Sequence, residues 1–74
     1  MDIHRLVKMA NEIGTFFTSA EDHKEAVSSI AAHLRNFWDP RMRAQLIEYE
    51  RQGGGELNPI VREAVLALET SRSA

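Results

Sequence analysis

The chain has 74 residues, no cysteine and a formal net charge of −2. That length makes one small domain whose own core stabilises it only modestly, and the missing cysteines exclude disulfide staples and thiolate metal sites. The weakly acidic balance speaks against a nucleic-acid binder, which would show a broad excess of Lys and Arg. No apolar run reaches membrane-spanning length. No apolar stretch follows the mixed start Asp2, His4, Arg5, so no signal peptide is read and the cytoplasm is the expected compartment.

The first predicted helix covers residues 3–17. Ile3, Leu6, Val7, Ala10, Ile13 and Phe17 recur at the 3.6-residue period, and Asp2 is placed to cap the first turn. Gly14 interrupts this run at a cost of about 1 kcal/mol relative to Ala. It marks either a close helix crossing or a weakening toward the helix end. Thr18-Ser19-Ala20-Glu21 fits a capping box for a second helix, with Ser19 and Asp22 as an alternative register. That helix is expected over 19–38, with Val27, Ile30, Ala31 and Leu34 and then Phe37 or Trp38 on its apolar side.

Asp39-Pro40 is the strongest local signal. Pro40 disfavours helix at the residue before it, suits the first position of a new helix, and leaves Asp39 as the cap. A third helix therefore runs over 40–52, with Met42, Leu46 and Tyr49 inward. Asp39 and Arg43, four apart, form an expected weak electrostatic stitch. Gly53-Gly54-Gly55 ends it, as either a flexible hinge or a close backbone approach. Asn58-Pro59 repeats the cap-plus-proline signature for a fourth helix over 59–70. The expected fold is all-α: one domain, residues 1–74, built as a small bundle of about four short antiparallel helices.

The candidate site is the stretch His33–Arg43, which holds the single Trp, one of three Phe and three of seven Arg. Trp and Arg are the residue types that most often anchor protein interfaces. Phe37 and Trp38, ringed by Arg35, Arg41 and Arg43 and continued by Asp39, Pro40 and Met42, form a candidate docking corner. On this view changing Trp38 and Arg41 together to Ala weakens docking and mostly spares helicity. The plainer alternative has Trp38 and Met42 closing the core. A second contribution comes from Leu57, Pro59 and Arg62, should Gly53–Pro59 lie extended along a partner. Arg35, Arg41 and Arg43 with His33 are also the residues that would hold a phosphate group. The three histidines are scattered, the acidic pairs flank no pocket, and Ser28 and Ser29 lack an oriented base. No catalytic set is read, and the chain is expected not to be an enzyme.

Three strings carry a resemblance: M-A-N-E-I-G-T-F-F at Met9–Phe17, I-A-A-H-L-R-N-F-W-D-P-R-M-R at Ile30–Arg43, and G-G-E-L-N-P-I-V-R-E-A at Gly54–Ala64. With these, the chain resembles the delta subunit of NAD-dependent, molybdenum-containing formate dehydrogenases. The resemblance implies a soluble complex that oxidises formate to carbon dioxide and reduces NAD. The molybdenum cofactor, iron–sulfur clusters, FMN and NAD then sit on partner subunits, and this chain binds no cofactor. Its implied role is to bind, stabilise or help assemble the larger catalytic alpha subunit. Two alternatives stay open: direct binding of the molybdopterin guanine dinucleotide through the arginines, and an independent helical homodimer with a regulatory role.

Overall fold

The computed structural model describes residues 2–20 and 22–73, with the side chains of residues 20 and 70–73 outside that description. Four helices follow in order: α1 (Ile3–Ala20), α2 (His23–Phe37), α3 (Pro40–Arg51) and α4 (Pro59–Ser73). No strand occurs among the described residues. The bundle measures 29 × 28 × 22 Å. The long dimension matches the roughly 27 Å that an 18-residue helix spans at about 1.5 Å per residue.

Each helix begins where short-range chemistry demands. Asp2 caps α1 by accepting from the His4 amide at 3.0 Å. Asp39 accepts from the Met42 amide at 2.9 Å, with Pro40 as the first helical residue of α3. The start of α2 differs from expectation. Helix α1 continues through Thr18 and Ser19 to Ala20, and Asp22 is the cap of α2, accepting from the Glu25 amide at 2.9 Å. The reason lies in the two hydroxyls. Thr18 donates to the Gly14 carbonyl at 2.6 Å and Ser19 to the Phe16 carbonyl at 2.9 Å. With their hydroxyls bonded back to carbonyls of the preceding turn, as helix-interior Ser and Thr are, neither serves as a cap. The Glu21 half of the expected capping box lies outside the described residues. Helix α4 runs to Ser73, three residues past its expected end.

All four helices contribute to one core. Leu6, Val7 and Ala10 of α1 meet Ile30, Ala31 and Leu34 of α2, Leu46 and Ile47 of α3, and Val61, Ala64, Val65 and Leu68 of α4. Helix α2 lies most extensively against α4. Where α1 crosses α4, Gly14 makes the approach possible: a Cβ placed there would sit 2.5 Å from Val61 Cγ2. Of the two sequence readings of Gly14, the close crossing is therefore the one realised.

The glycine run is a tight turn. Gly53 and Gly54 have φ of +123° and +56°, backbone angles that glycine adopts without a Cβ penalty. The Gly54 amide donates to the Tyr49 carbonyl at 3.0 Å. The following residues are tied down at both sides. Glu56 N donates to the Tyr49 hydroxyl at 3.0 Å, and Asn11 brackets the loop by donating to the Glu56 carbonyl and accepting from the Asn58 amide, each at 2.9 Å. Leu57 then enters the core at 5% exposure. The expectation of Gly53–Pro59 as an extended strap is thereby corrected, because side chains of α1 and α3 hold this segment against the bundle.

Candidate interaction surface

The corner between α2 and α3 is built from within by Trp38 and Arg43. The Asp39-Pro40 break leaves Trp38 extended at φ −89° and ψ 140°, and its side chain turns under the bundle to 5% exposure. The Trp38 amide still donates to the Leu34 carbonyl at 3.2 Å. The Arg43 guanidinium donates to the carbonyls of Arg35 at 3.0 Å and Leu34 at 3.4 Å, and also to that of Trp38. A cation here meets the negative end of the α2 dipole and satisfies carbonyls that the helix itself leaves open. Arg43 therefore closes α2 and does not form the expected stitch with Asp39, whose carboxylate is engaged on the Met42 amide.

This geometry corrects two expectations. Trp38 is a core residue, not an outward anchor, so the plainer alternative holds for it. Half-buried Met42 packs against the same core. A Trp38→Ala change would consequently damage the fold and could not leave helicity intact. The outward group at the corner is Phe37, at 75% exposure. Arg35, Arg41, Asp39 and Pro40 are exposed around it.

Phe37 does not stand alone. Its ring lies 4.9 Å from His33, His33 lies 6.2 Å from Phe17, and Phe17 meets Phe16 edge-on at 5.2 Å. Such separations are those of favourable ring contacts. The four rings form a strip from the end of α1 across α2 to the corner. Phe17 and His33 are half-buried within it, while Phe16 is 67% exposed. The sequence reading missed Phe16 as a surface group. The available signal was its register, since Phe16 falls outside the Ile3, Leu6, Val7, Ala10, Ile13, Phe17 stripe that the helical period sets.

Of the remaining candidates, Arg62 is held in an internal tie while Pro59 faces out. Arg62 reaches Glu50 at 3.6 Å, with Glu50 at 8% exposure, and lies over Gly54. Pro59 is the exposed first residue of α4. His23 pairs with Glu63 at 2.6 Å, joining the start of α2 to α4, and His4 faces Glu56 at 3.4 Å. Arg51 donates to Glu69 at 2.7 Å, and this hydrogen bond together with the carboxylate charge raises the arginine pKa above its ordinary value. With Arg43 on carbonyls and His33 between two phenyl rings, the residues considered for a phosphate do not converge on one point.

Among the described residues no three of His, Asp and Glu are grouped so as to hold a metal ion. No described helix is long and apolar enough to cross a membrane. Among the described residues an open concavity runs along α1 beside His4, Lys8 and Glu12.

The family model described as the NADH-dependent formate dehydrogenase delta subunit, FdsD, matches residues 5–65, a span that contains all three sequence strings. No curated protein and no solved structure matches the chain.

Proposed function

The chain belongs to the NADH-dependent formate dehydrogenase delta-subunit family, and from that premise we propose that it is a non-catalytic accessory subunit. It docks onto the catalytic alpha subunit of a cytoplasmic formate dehydrogenase and stabilises it or helps assemble it. In this reading the molybdenum cofactor, iron–sulfur clusters, FMN and NAD site belong to partner subunits. The donor set of this chain suits that division: it has no cysteine, and its histidines are engaged singly with Glu56, with Glu63 and between aromatic rings.

The observation that carries the proposal is the outward Phe37 among the exposed Arg35 and Arg41. The bundle satisfies its own core without them. Large aromatic and guanidinium groups exposed at one corner match the residue types that dominate binding energy at protein interfaces. The test is co-expression of the tagged chain with the catalytic subunit, followed by affinity capture and native mass spectrometry. The expected result is a stable stoichiometric complex whose catalytic subunit resists heating better than the subunit alone. Failure of the two chains to co-purify, with both folded, would refute the proposal.

A further inference from the structure

We propose that the aromatic strip Phe16–Phe17–His33–Phe37 is the docking face, and that its occupant is an apolar pocket rimmed by carboxylates on the catalytic subunit. This rests on the accessory-subunit reading above and assigns it a surface and a partner chemistry.

The first support is where the exposed apolar groups lie. Phe16, Phe37 and Leu66 are the exposed large hydrophobics among the described residues, and two of the three belong to this strip. They are joined through two half-buried rings into one continuous patch. Holding the rings against each other before binding lowers the ordering cost of association.

The second support is charge. The segment His33–Arg43 holds three arginines and one aspartate, a net charge of +2 in a chain whose total is −2. Arg43 and Asp39 are engaged as helix caps. Arg35 and Arg41 remain exposed beside Phe37, and neither is within ion-pair distance of an acid among the described residues. Carboxylates on a partner would meet these planar guanidinium groups by paired hydrogen bonds.

The third support is area, which argues against a second copy of this chain as occupant. At 67% and 75% exposure, Phe16 and Phe37 together offer roughly 300 Å² of surface, given about 150–250 Å² for a whole phenylalanine-sized group. A stable interface takes about 800 Å² per partner. Two near-spherical bundles touch over a limited patch, and each would bring the same cationic corner. A concave site on a larger subunit instead wraps the flanks of the strip and reaches Phe17, His33 and both arginines.

The experiment compares wild type with Phe16→Ser/Phe37→Ser and with Arg35→Glu/Arg41→Glu, each checked for unchanged helicity and melting by circular dichroism. Affinity for the isolated catalytic subunit is measured by surface-capture kinetics at two salt concentrations, alongside light scattering of each chain alone. The proposal predicts at least a tenfold loss of affinity for the serine variant. It also predicts a slower, less salt-sensitive association for the glutamate variant, since steering by exposed charge acts on the on-rate. Wild-type binding with equal binding by the folded serine variant overturns the assigned face and leaves the accessory-subunit reading standing. Absence of wild-type binding overturns both. A wild-type dimer that the serine changes dissociate assigns the strip to self-association and overturns the proposed occupant.

Discussion

Gly14→Ala sets two physical effects of opposite sign against each other at one position. Helix propensity alone favours Ala over Gly by about 1 kcal/mol in a helix interior. The crossing with α4 opposes it. The added methyl would lie 2.5 Å from Val61 Cγ2, about 1 Å inside the roughly 3.5–4.0 Å separation of carbon atoms in contact. Val61 is fully buried, and a β-branched side chain in a helix has one strongly preferred rotamer. The clash is therefore relieved by moving α4, not by turning a side chain. Such a shift loosens Ala64, Val65 and Leu68 from the same core. Overpacking of this kind costs about 1–3 kcal/mol, and a rigid neighbour places it in the upper part of that range.

The expected net effect is a destabilisation of about 1–2 kcal/mol, with each kcal/mol lowering the melting temperature by about 4–8 °C in a domain of this size. Thermal and urea unfolding of Gly14→Ala measure it. Val61→Ala made in the Gly14→Ala background is expected to cost less than in the wild type, because the clashing methyl is gone. An unchanged or raised melting point for Gly14→Ala, or strict additivity in the double mutant, would refute the close-crossing argument.

Three further outcomes follow from the same geometry. Trp38→Ala removes a core residue and costs about 3–5 kcal/mol, comparable with the whole stability expected of a chain this small, so circular dichroism should show a largely unfolded protein. Arg43→Met leaves the last carbonyls of α2 without their cation and is expected to cost about 1–2 kcal/mol, with faster amide exchange in the last turn of α2. Asn11→Ala deletes both ties to the Glu56–Asn58 backbone and should destabilise by about 1–3 kcal/mol, with protection of the Asn58 amide reduced more than that of the α2 core. An Asn58 amide that stays fully protected would show that Tyr49 alone fixes the loop.

The helices were legible because their signals are local. Asp39-Pro40 and Asn58-Pro59 each place a fixed φ at the first helical position, and the structure starts α3 and α4 there. The α1–α2 boundary was ambiguous because Thr18, Ser19 and Asp22 all offer a capping oxygen. What decided was whether the hydroxyls bonded backwards to Gly14 and Phe16, and a short string does not encode that choice. The same limit applied to Phe37 and Trp38. Both follow Leu34 near the end of α2, and periodicity admits either as the last inward residue. The extended backbone at Trp38 and the guanidinium of Arg43 settle the matter through contacts five or more residues apart. The strip was less legible still, since its two halves lie on different helices.

The corner thus contains two kinds of residue in one short string, and they predict separable phenotypes. Trp38, Asp39 and Arg43 hold α2 and α3 together, so changing them lowers stability, and any loss of docking follows from unfolding. Phe37, Arg35 and Arg41 face outward and take no part in the core or the caps. Surface substitutions away from packed or capped positions usually alter stability by no more than about 0.5 kcal/mol. If docking uses this face, affinity and stability must therefore be uncorrelated across Phe37, Arg35 and Arg41 variants and tightly correlated across Trp38, Asp39 and Arg43 variants. Plotting the two quantities for all six positions distinguishes a binding surface from a fold that merely has to be intact. A single common line through both sets would mean that docking senses only foldedness.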